Sequence, residues 1–451
     1  MRDSASGEEG RPLNERVAAA LQRAVGRHGL ALGAILLVAA GVFGNALFVH
    51  PLDPDNMVAL SVGPLHHPWD YFSGAAHTLR RPFYRPAAEL TLWLQYHVLH
   101  LQTHSYFAVN IGIWVVCAWL SYAYVAVATG SRVLGSLAAL AAMLDGRAIL
   151  ATLWILERQS TIALACGLGA LLLALVPMRR RRLLGASIFA LLLVAALAKE
   201  FGLAFAVAVP LLAYLQRLDW KPVAVAAAAA VGLYAVLRFG VAGGAAGQLC
   251  DQMGYFRHTR TVCYSQTPFS NVKQQVYNAV ASFVGTFLPP LFNPDGGLLT
   301  PSVRGLVVPV IVSAAAVVGF VRRPRWSLPL LVLVAVNALL NFVLYRSRNQ
   351  VIGLTALYAA AAIGLEWLYV RVAAQAGRRA FLVAGVGGAV AVFWLAEQAV
   401  LRPRTVQNFQ RVAAASDPCE VLPRFPKEID RSVVRILKER YHRPDPGCAA
   451  R

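Results

Sequence analysis

Residues 183–215 read LLGASIFALLLVAALAKEFGLAFAVAVPLLAYL, and this stretch decides the fold. It consists of two apolar runs that are interrupted by charge only at Lys199 and Glu200. Lipid offers no hydrogen bonds to a bare backbone, so each run must be a helix if it lies in a membrane. The stretch therefore predicts a helical hairpin with a charged turn at one membrane face.

The same apolar pattern extends over the rest of the chain. Of its 451 residues, 58% are hydrophobic and 14% are charged, whereas about a quarter of a soluble domain is charged. The sequence predicts an all-α polytopic membrane protein with about eleven helices across roughly 30 Å of hydrocarbon. The predicted spans are 29–48, 105–127, 133–144, 159–176, 183–198, 201–215, 223–240, 305–321, 327–345, 350–370 and 380–401.

Basic residues set the predicted orientation. Arginine and lysine in short loops stay on the cytoplasmic side. With the N-terminus inside, the inner loops receive the basic clusters at 179–182, 322–325 and 371–379. The resulting organisation is a cytoplasmic segment 1–28, a transmembrane domain 29–401 with outer loops 49–104 and 241–304, and an outer tail 402–451.

Cysteines in the outer segments predict disulfides. Cys250 and Cys263 lie in the loop 241–304, and Cys419 and Cys448 lie in the tail. Disulfides persist outside the cytoplasm, so we predict one bridge in each segment. Four free thiols are the alternative.

The net charge of +20 indicates which partners to expect. Part of it forms the cytoplasmic arginine belt, which would lie against anionic lipid headgroups. Nucleic acid is not an expected partner, because the belt is divided among short loops between spans.

The first outer loop, 49–104, is predicted to contain amphipathic helices. Aromatic residues such as Trp69 and Trp93 alternate there with basic and acidic ones. This mixture is typical of helices that lie in the membrane interface. Several histidines also occur in the loop, but their spacing matches no strong zinc motif.

Ionisable residues collect at the predicted outer face, where charge near the membrane makes them functional candidates. Each also has a plain structural interpretation: a solvated turn, an ion pair, a headgroup anchor or an ordinary loop residue. The candidates are Asp53, Asp55, Asp145, Glu157, Arg158, Lys199, Glu200, Arg346 and Arg348.

Four stretches in one order support a resemblance to a known family. They are Asp53-Pro54-Asp55, Tyr84-Arg85-Pro86, the segment 151–158 that ends in Glu157-Arg158, and Lys199-Glu200. Together they resemble the membrane half of the protein O-mannosyltransferases that carry tetratricopeptide repeats, and their bacterial relatives, within the GT-C glycosyltransferases. The resemblance covers roughly residues 45–215 and, weakly, 340–365, where Arg346 or Arg348 corresponds to a later arginine before a helix. In this chain Pro54 separates the two acids, and no tetratricopeptide repeats follow the last span.

The resemblance implies a glycosyltransferase of the cell envelope. Such an enzyme takes a sugar from a polyprenyl-phosphate carrier at the outer face of a bacterial inner or plasma membrane and passes it to a glycan, lipid or protein acceptor. Asp53 or Asp55 would be the general base, with Asp145 as a second candidate, and a single displacement would invert the anomeric carbon. The need for a divalent metal stays open.

The resemblance also implies roles for the neighbouring residues. The developing charge on the phosphate leaving group requires nearby cations. The cations expected there are Arg158, Lys199, Arg346 and Arg348, with Tyr84, Arg85, Glu157 and Glu200 in support.

Two other classes fit many spans with outer charge. A polysaccharide polymerase or ligase that uses lipid-linked sugars would depend on the arginines more than on the first-loop acids. A lipid or sugar transporter should show internal repeats or broken helices at the bilayer midplane. A non-catalytic assembly partner with the same fold is a further alternative.

Overall fold

The computed structural model describes residues 13–48, 67–73, 84–100, 103–176, 181–241, 272–288, 303–341 and 347–376. Over these ranges the chain is helical and has no strand, which confirms the predicted all-α class. The α-helices are α1 (Leu13–Phe43), α2 (Asp70–Ser73), α3 (Pro86–Leu99), α4 (Thr103–Thr129), α5 (Arg132–Leu144), α6 (Gly146–Leu153), α7 (Arg158–Ala174), α8 (Arg181–Ala198), α9 (Leu203–Leu215), α10 (Trp220–Ala235), α11 (Val272–Phe287), α12 (Val303–Arg322), α13 (Pro324–Leu340) and α14 (Val351–Ala376).

Several of these helices are compatible with an integral membrane protein. Four are long and apolar enough to cross a membrane: His104–Thr129, Ile155–Ala174, Trp220–Val241 and Val351–Ala374. The sharply bent pair α5 and α6 makes a fifth if it counts as one span. Shorter apolar helices occupy five of the other predicted positions, and the segment 380–401 lies outside the described residues. The count of eleven spans therefore stays a prediction.

Small residues bring α12 and α14 into close contact. A Cβ atom on Gly364 would collide with the Ala315 carbonyl, and one on Gly319 would collide with the Ala360 carbonyl. Helices in lipid gain little from hydrophobic burial against each other, so small residues that admit close backbone packing favour their association. This pair of helices forms one of the tightest seams of the bundle.

Three helix breaks place polar residues in the interior. A 3-10 turn at Ile155–Glu157 separates α6 from α7, and another at Glu200–Gly202 separates α8 from α9. A third, at Ser347–Gln350, leads into α14. Side chains from all three breaks contact one another, so the breaks meet at one place in the bundle.

Two predicted outer loops contain helices that pack on the bundle. In the first loop, α3 contacts α8 and buries Ala88 and Leu92. In the second, α11 contacts α13 and buries a polar row of Asn278, Ser282 and Thr286. The predicted disulfide cysteines lie outside the described residues.

Candidate functional site

Lys199 lies where the three helix breaks meet. Its backbone is extended, which ends α8, and its side chain is 1% exposed. The ammonium nitrogen donates to Glu157 Oε2 at 2.8 Å, to Ser160 Oγ at 2.7 Å and to Asn349 Oδ1 at 2.9 Å. An ammonium group has three N–H donors, so every donor of Lys199 has an acceptor.

Gly202 allows the turn after Lys199 to fold back tightly. A Cβ atom at this position would collide with the carbonyl group of Ala195 in α8. The Lys199 backbone N–H also donates to the Ala195 carbonyl at 3.1 Å. Gly202 therefore permits the tight turn that sets the position of Lys199.

The Glu157 carboxylate is held from two sides. Ser160 Oγ donates to Glu157 Oε2 at 2.6 Å, and Lys199 forms the ion pair with the same oxygen. Ser160 follows Glu157 by one helical turn at the start of α7, so the helix itself fixes this contact. The carboxylate is positioned as the counter-charge of Lys199.

Arg158 is the unusual cation of the site. It is 1% exposed, and its Nε donates to Asn110 Oδ1 at 2.6 Å. Its Nη2 donates to the Tyr106 carbonyl at 3.2 Å, whereas Nη1 has no hydrogen-bond partner in the described part of the chain. Within that part, no carboxylate pairs with Arg158.

A second ion pair lies beside this cluster. Arg85 donates from Nε and Nη2 to the two oxygens of Glu200, at 3.1 and 3.2 Å. The preceding Tyr84 is buried and donates to the Phe72 carbonyl. Burial raises the pKa of the Tyr84 hydroxyl to about 12, so it stays protonated at neutral pH. The Tyr84-Arg85 segment thus connects the predicted first outer loop to the helix break at Glu200.

Asp145 belongs to a separate buried pair. Arg147 donates from Nε to Asp145 Oδ1 and from Nη2 to Oδ2, both at 2.9 Å. The Tyr358 hydroxyl donates to the same Oδ2 at 3.1 Å. Both carboxylate oxygens of Asp145 already accept hydrogen bonds, so the geometry favours a structural role for Asp145 over that of a general base.

The turn Ser347–Gln350 connects the two clusters. Asn349 accepts from Lys199, and Gln350 Oε1 accepts from Arg147 Nη1 at 2.9 Å. Gln350 also donates to the Ser282 carbonyl of α11 at 3.2 Å. Sequence reasoning missed these amides as site residues, although the Asn349-Gln350 pair directly follows Arg348 and marks the end of a predicted outer turn.

The largely buried charges described at and next to the helix breaks include one more basic than acidic side chain. The side chains of Arg85, Arg158 and Lys199 are basic, while only Glu157 and Glu200 are acidic. The structure thus brings together Arg85, Glu157, Lys199 and Glu200. The side chain of the neighbouring Arg158 contacts Asn110 and Tyr106 instead. A buried guanidinium with a free N–H and no counter-charge is suited to bind an anion.

The structure does not describe three of the predicted site residues or the side chain of a fourth. Asp53, Asp55 and Arg346 lie outside the described residues, and so does the side chain of Arg348. In the described ranges, no group of three His, Cys, Asp or Glu side chains could hold a metal ion.

Comparison of the chain with protein-family models, with curated proteins and with solved structures gives no match.

Proposed function

We propose that the protein is a membrane glycosyltransferase of the GT-C type. It would transfer a sugar from a polyprenyl-phosphate carrier to an acceptor at the extracytoplasmic face, with inversion at the anomeric carbon. The observation that carries the proposal is the buried Arg158, whose Nη1 has no hydrogen-bond partner in the described part of the chain.

The charge of the cluster supports an anionic ligand. A buried cation without a counter-charge costs several kcal/mol of desolvation, by an order-of-magnitude estimate of about 3–5. Arg158 is also the first residue of α7, where the helix dipole is positive and makes a bound anion more favourable. A phosphate group on Nη1 would compensate both. The resemblance of the surrounding motifs to GT-C enzymes supports the phosphate of a lipid-linked sugar as that ligand.

The remaining contacts support orientation of such a donor. Asn110 and the Tyr106 carbonyl hold Nε and Nη2 of the Arg158 guanidinium, and in the proposal the buried Nη1 is the atom that binds the ligand. Fixed donors stabilise charge on a leaving group without reorganisation during the reaction. In the proposal, Arg158 holds the phosphate while the C–O bond to the sugar breaks, and Lys199 adds a second N–H donor.

The general base is proposed to be Asp53 or Asp55. It would accept the proton of the acceptor hydroxyl as that oxygen attacks the anomeric carbon. Asp145 is the weaker candidate because Arg147 and Tyr358 occupy both of its oxygens.

Sugar transfer by purified protein in liposomes tests the proposal. A panel of radiolabelled polyprenyl-phosphate sugars would be offered to wild type, Asp53→Asn, Asp55→Asn and Arg158→Gln. We expect turnover with one donor, loss of turnover in one Asp variant, and a reduction of at least about 100-fold in Arg158→Gln, typical of lost charge stabilisation.

A matched control removes the same charge far from the site. Arg323 pairs with Glu366 at 2.8 Å, and its side chain is 41% exposed. Arg323→Gln should keep wild-type turnover. Tight binding of a donor without release of its sugar would instead indicate a lipid or sugar transporter. Activity that survives both Asp changes but not Arg158→Gln would indicate a polymerase or ligase.

A further inference from the structure

Lys199 presents a difficulty for any ligand, because its three N–H donors already have acceptors. These acceptors are Glu157, Ser160 and Asn349, at 2.7 to 2.9 Å. A phosphate oxygen can therefore reach the ammonium group only if one of the three acceptors leaves.

The three acceptors differ in how firmly they are held. Glu157 carries the counter-charge, and its side chain is 6% exposed. Ser160 is 1% exposed, lies on the first turn of α7 and donates to Glu157 as well. Asn349 is neutral, is only partly buried and lies on the short turn Ser347–Gln350. Loss of Asn349 would break no ion pair, so it is the acceptor that leaves at the lowest free-energy cost.

We infer that Asn349 Oδ1 occupies the position of a donor phosphate oxygen on Lys199 and is displaced when the donor binds. This inference rests on the proposed function. The amide oxygen and a phosphate oxygen are both hydrogen-bond acceptors, and a charged acceptor binds an ammonium group more strongly than a neutral one. Asn349 is thus a positioning residue that keeps Lys199 oriented while the site is empty and competes with the donor.

The backbone of the turn stays anchored when the side chain leaves. Asn337 Nδ2 donates to the Asn349 carbonyl at 3.1 Å, and Asn337 Oδ1 accepts from the Gly353 N–H at 2.9 Å. Gln350 is held by Arg147 and by the Ser282 carbonyl. Displacement therefore requires a rotation of one side chain and no unfolding of the turn.

Two substitutions at the same position should change donor affinity in opposite directions. Asn349→Ala removes the internal competitor, and we expect the Kd for a polyprenyl phosphate to fall by about 3- to 10-fold, which is the size of one typical competing hydrogen bond. Asn349→Asp supplies a carboxylate that pairs with Lys199, and we expect the Kd to rise by about 10-fold or more.

Gln350→Ala is the matched control. It removes the neighbouring amide from the same turn but leaves all three acceptors of Lys199, so a gain in affinity that came from loosening the turn would appear here too. We expect no gain. In turnover assays, Asn349→Ala should lower KM and leave kcat within about twofold, because in the proposal Asn349 no longer touches Lys199 in the complex that reacts.

The experiment measures binding of undecaprenyl phosphate to the full chain in nanodiscs, beside thermal unfolding as a check on folding. Opposite shifts for Asn349→Ala and Asn349→Asp would support displacement. Equal Kd values for wild type and Asn349→Ala, or weaker binding by Asn349→Ala in folded protein, would overturn it. Absence of binding by wild type would overturn the proposed function together with this inference, whereas binding that ignores Asn349 would overturn the inference alone.

Discussion

The buried ion pair between Glu157 and Lys199 gives the sharpest test of the site. The two side chains are 6% and 1% exposed and lie 2.8 Å apart. Glu157→Gln leaves the Lys199 charge buried without its counter-charge, and Lys199→Met leaves the Glu157 charge in the same state. Removal of one partner of a buried pair costs about 3–5 kcal/mol. Removal of both leaves no buried charge, so the double variant should be more stable than either single variant.

Unfolding measurements on the four proteins give the coupling energy between the two residues. Residues in direct contact typically couple by about 0.5–3 kcal/mol, and this buried pair should lie at the upper end. Unfolding in detergent, followed by tryptophan fluorescence against denaturant, supplies the free energies. A matched cycle on Arg323 and Glu366 should couple by no more than about 1 kcal/mol, since Arg323 is 41% exposed. Additive losses at Glu157 and Lys199 would refute the assignment of a buried, mutually neutralising pair.

Two further predictions concern packing and orientation. Gly364→Leu should lower the free energy of unfolding by at least about 1–3 kcal/mol, the usual cost of overpacking, because its Cβ meets the Ala315 backbone. Gly232 has open space where a Cβ would lie, so Gly232→Leu should have little effect in the same denaturant titration. A membrane-impermeant maleimide added to intact cells should label Cys250 only after reduction, as expected for an outer disulfide. Labelling of Cys250 without reduction would refute the bridge, and labelling only after lysis would refute the outer location.

Hydropathy predicted the helices well where each apolar run is long. The predicted spans 105–127 and 350–370 correspond to helices Thr103–Thr129 and Val351–Ala376. The helix Val272–Phe287 was missed because its buried row of Asn278, Ser282 and Thr286 is polar, and polar residues read as surface in a sequence. Burial of such a row depends on polar partners from other helices, which periodicity alone does not reveal.

The candidate site was predictable in its residue types but not in its pairing. Glu157, Arg158, Lys199 and Glu200 are recognisable as charges at the ends of apolar runs. However, Lys199 and Glu157 are 42 positions apart in the sequence, and Arg85 and Glu200 are 115 apart. The pairing of cations with carboxylates depends on how the helices pack. The sequence therefore could not show that Arg158 has no carboxylate partner in the described part of the chain.

A second buried cluster in the same chain, around Asp145 and Arg147, can be compared with the unpaired charge of Arg158. The Asp145–Arg147 pair is also buried and contacts the same turn through Gln350. There, however, two hydrogen bonds join the guanidinium to the carboxylate, so the two charges neutralise each other. A purely structural network needs this neutrality, because an unpaired charge destabilises the fold. Arg158 departs from it at a helix N-terminus, next in sequence to Glu157, which is the counter-charge of Lys199. The Asp145–Arg147 pair is neutral, whereas Arg158 has no counter-charge among the described residues. A ligand that carries its own negative charge would account for this difference.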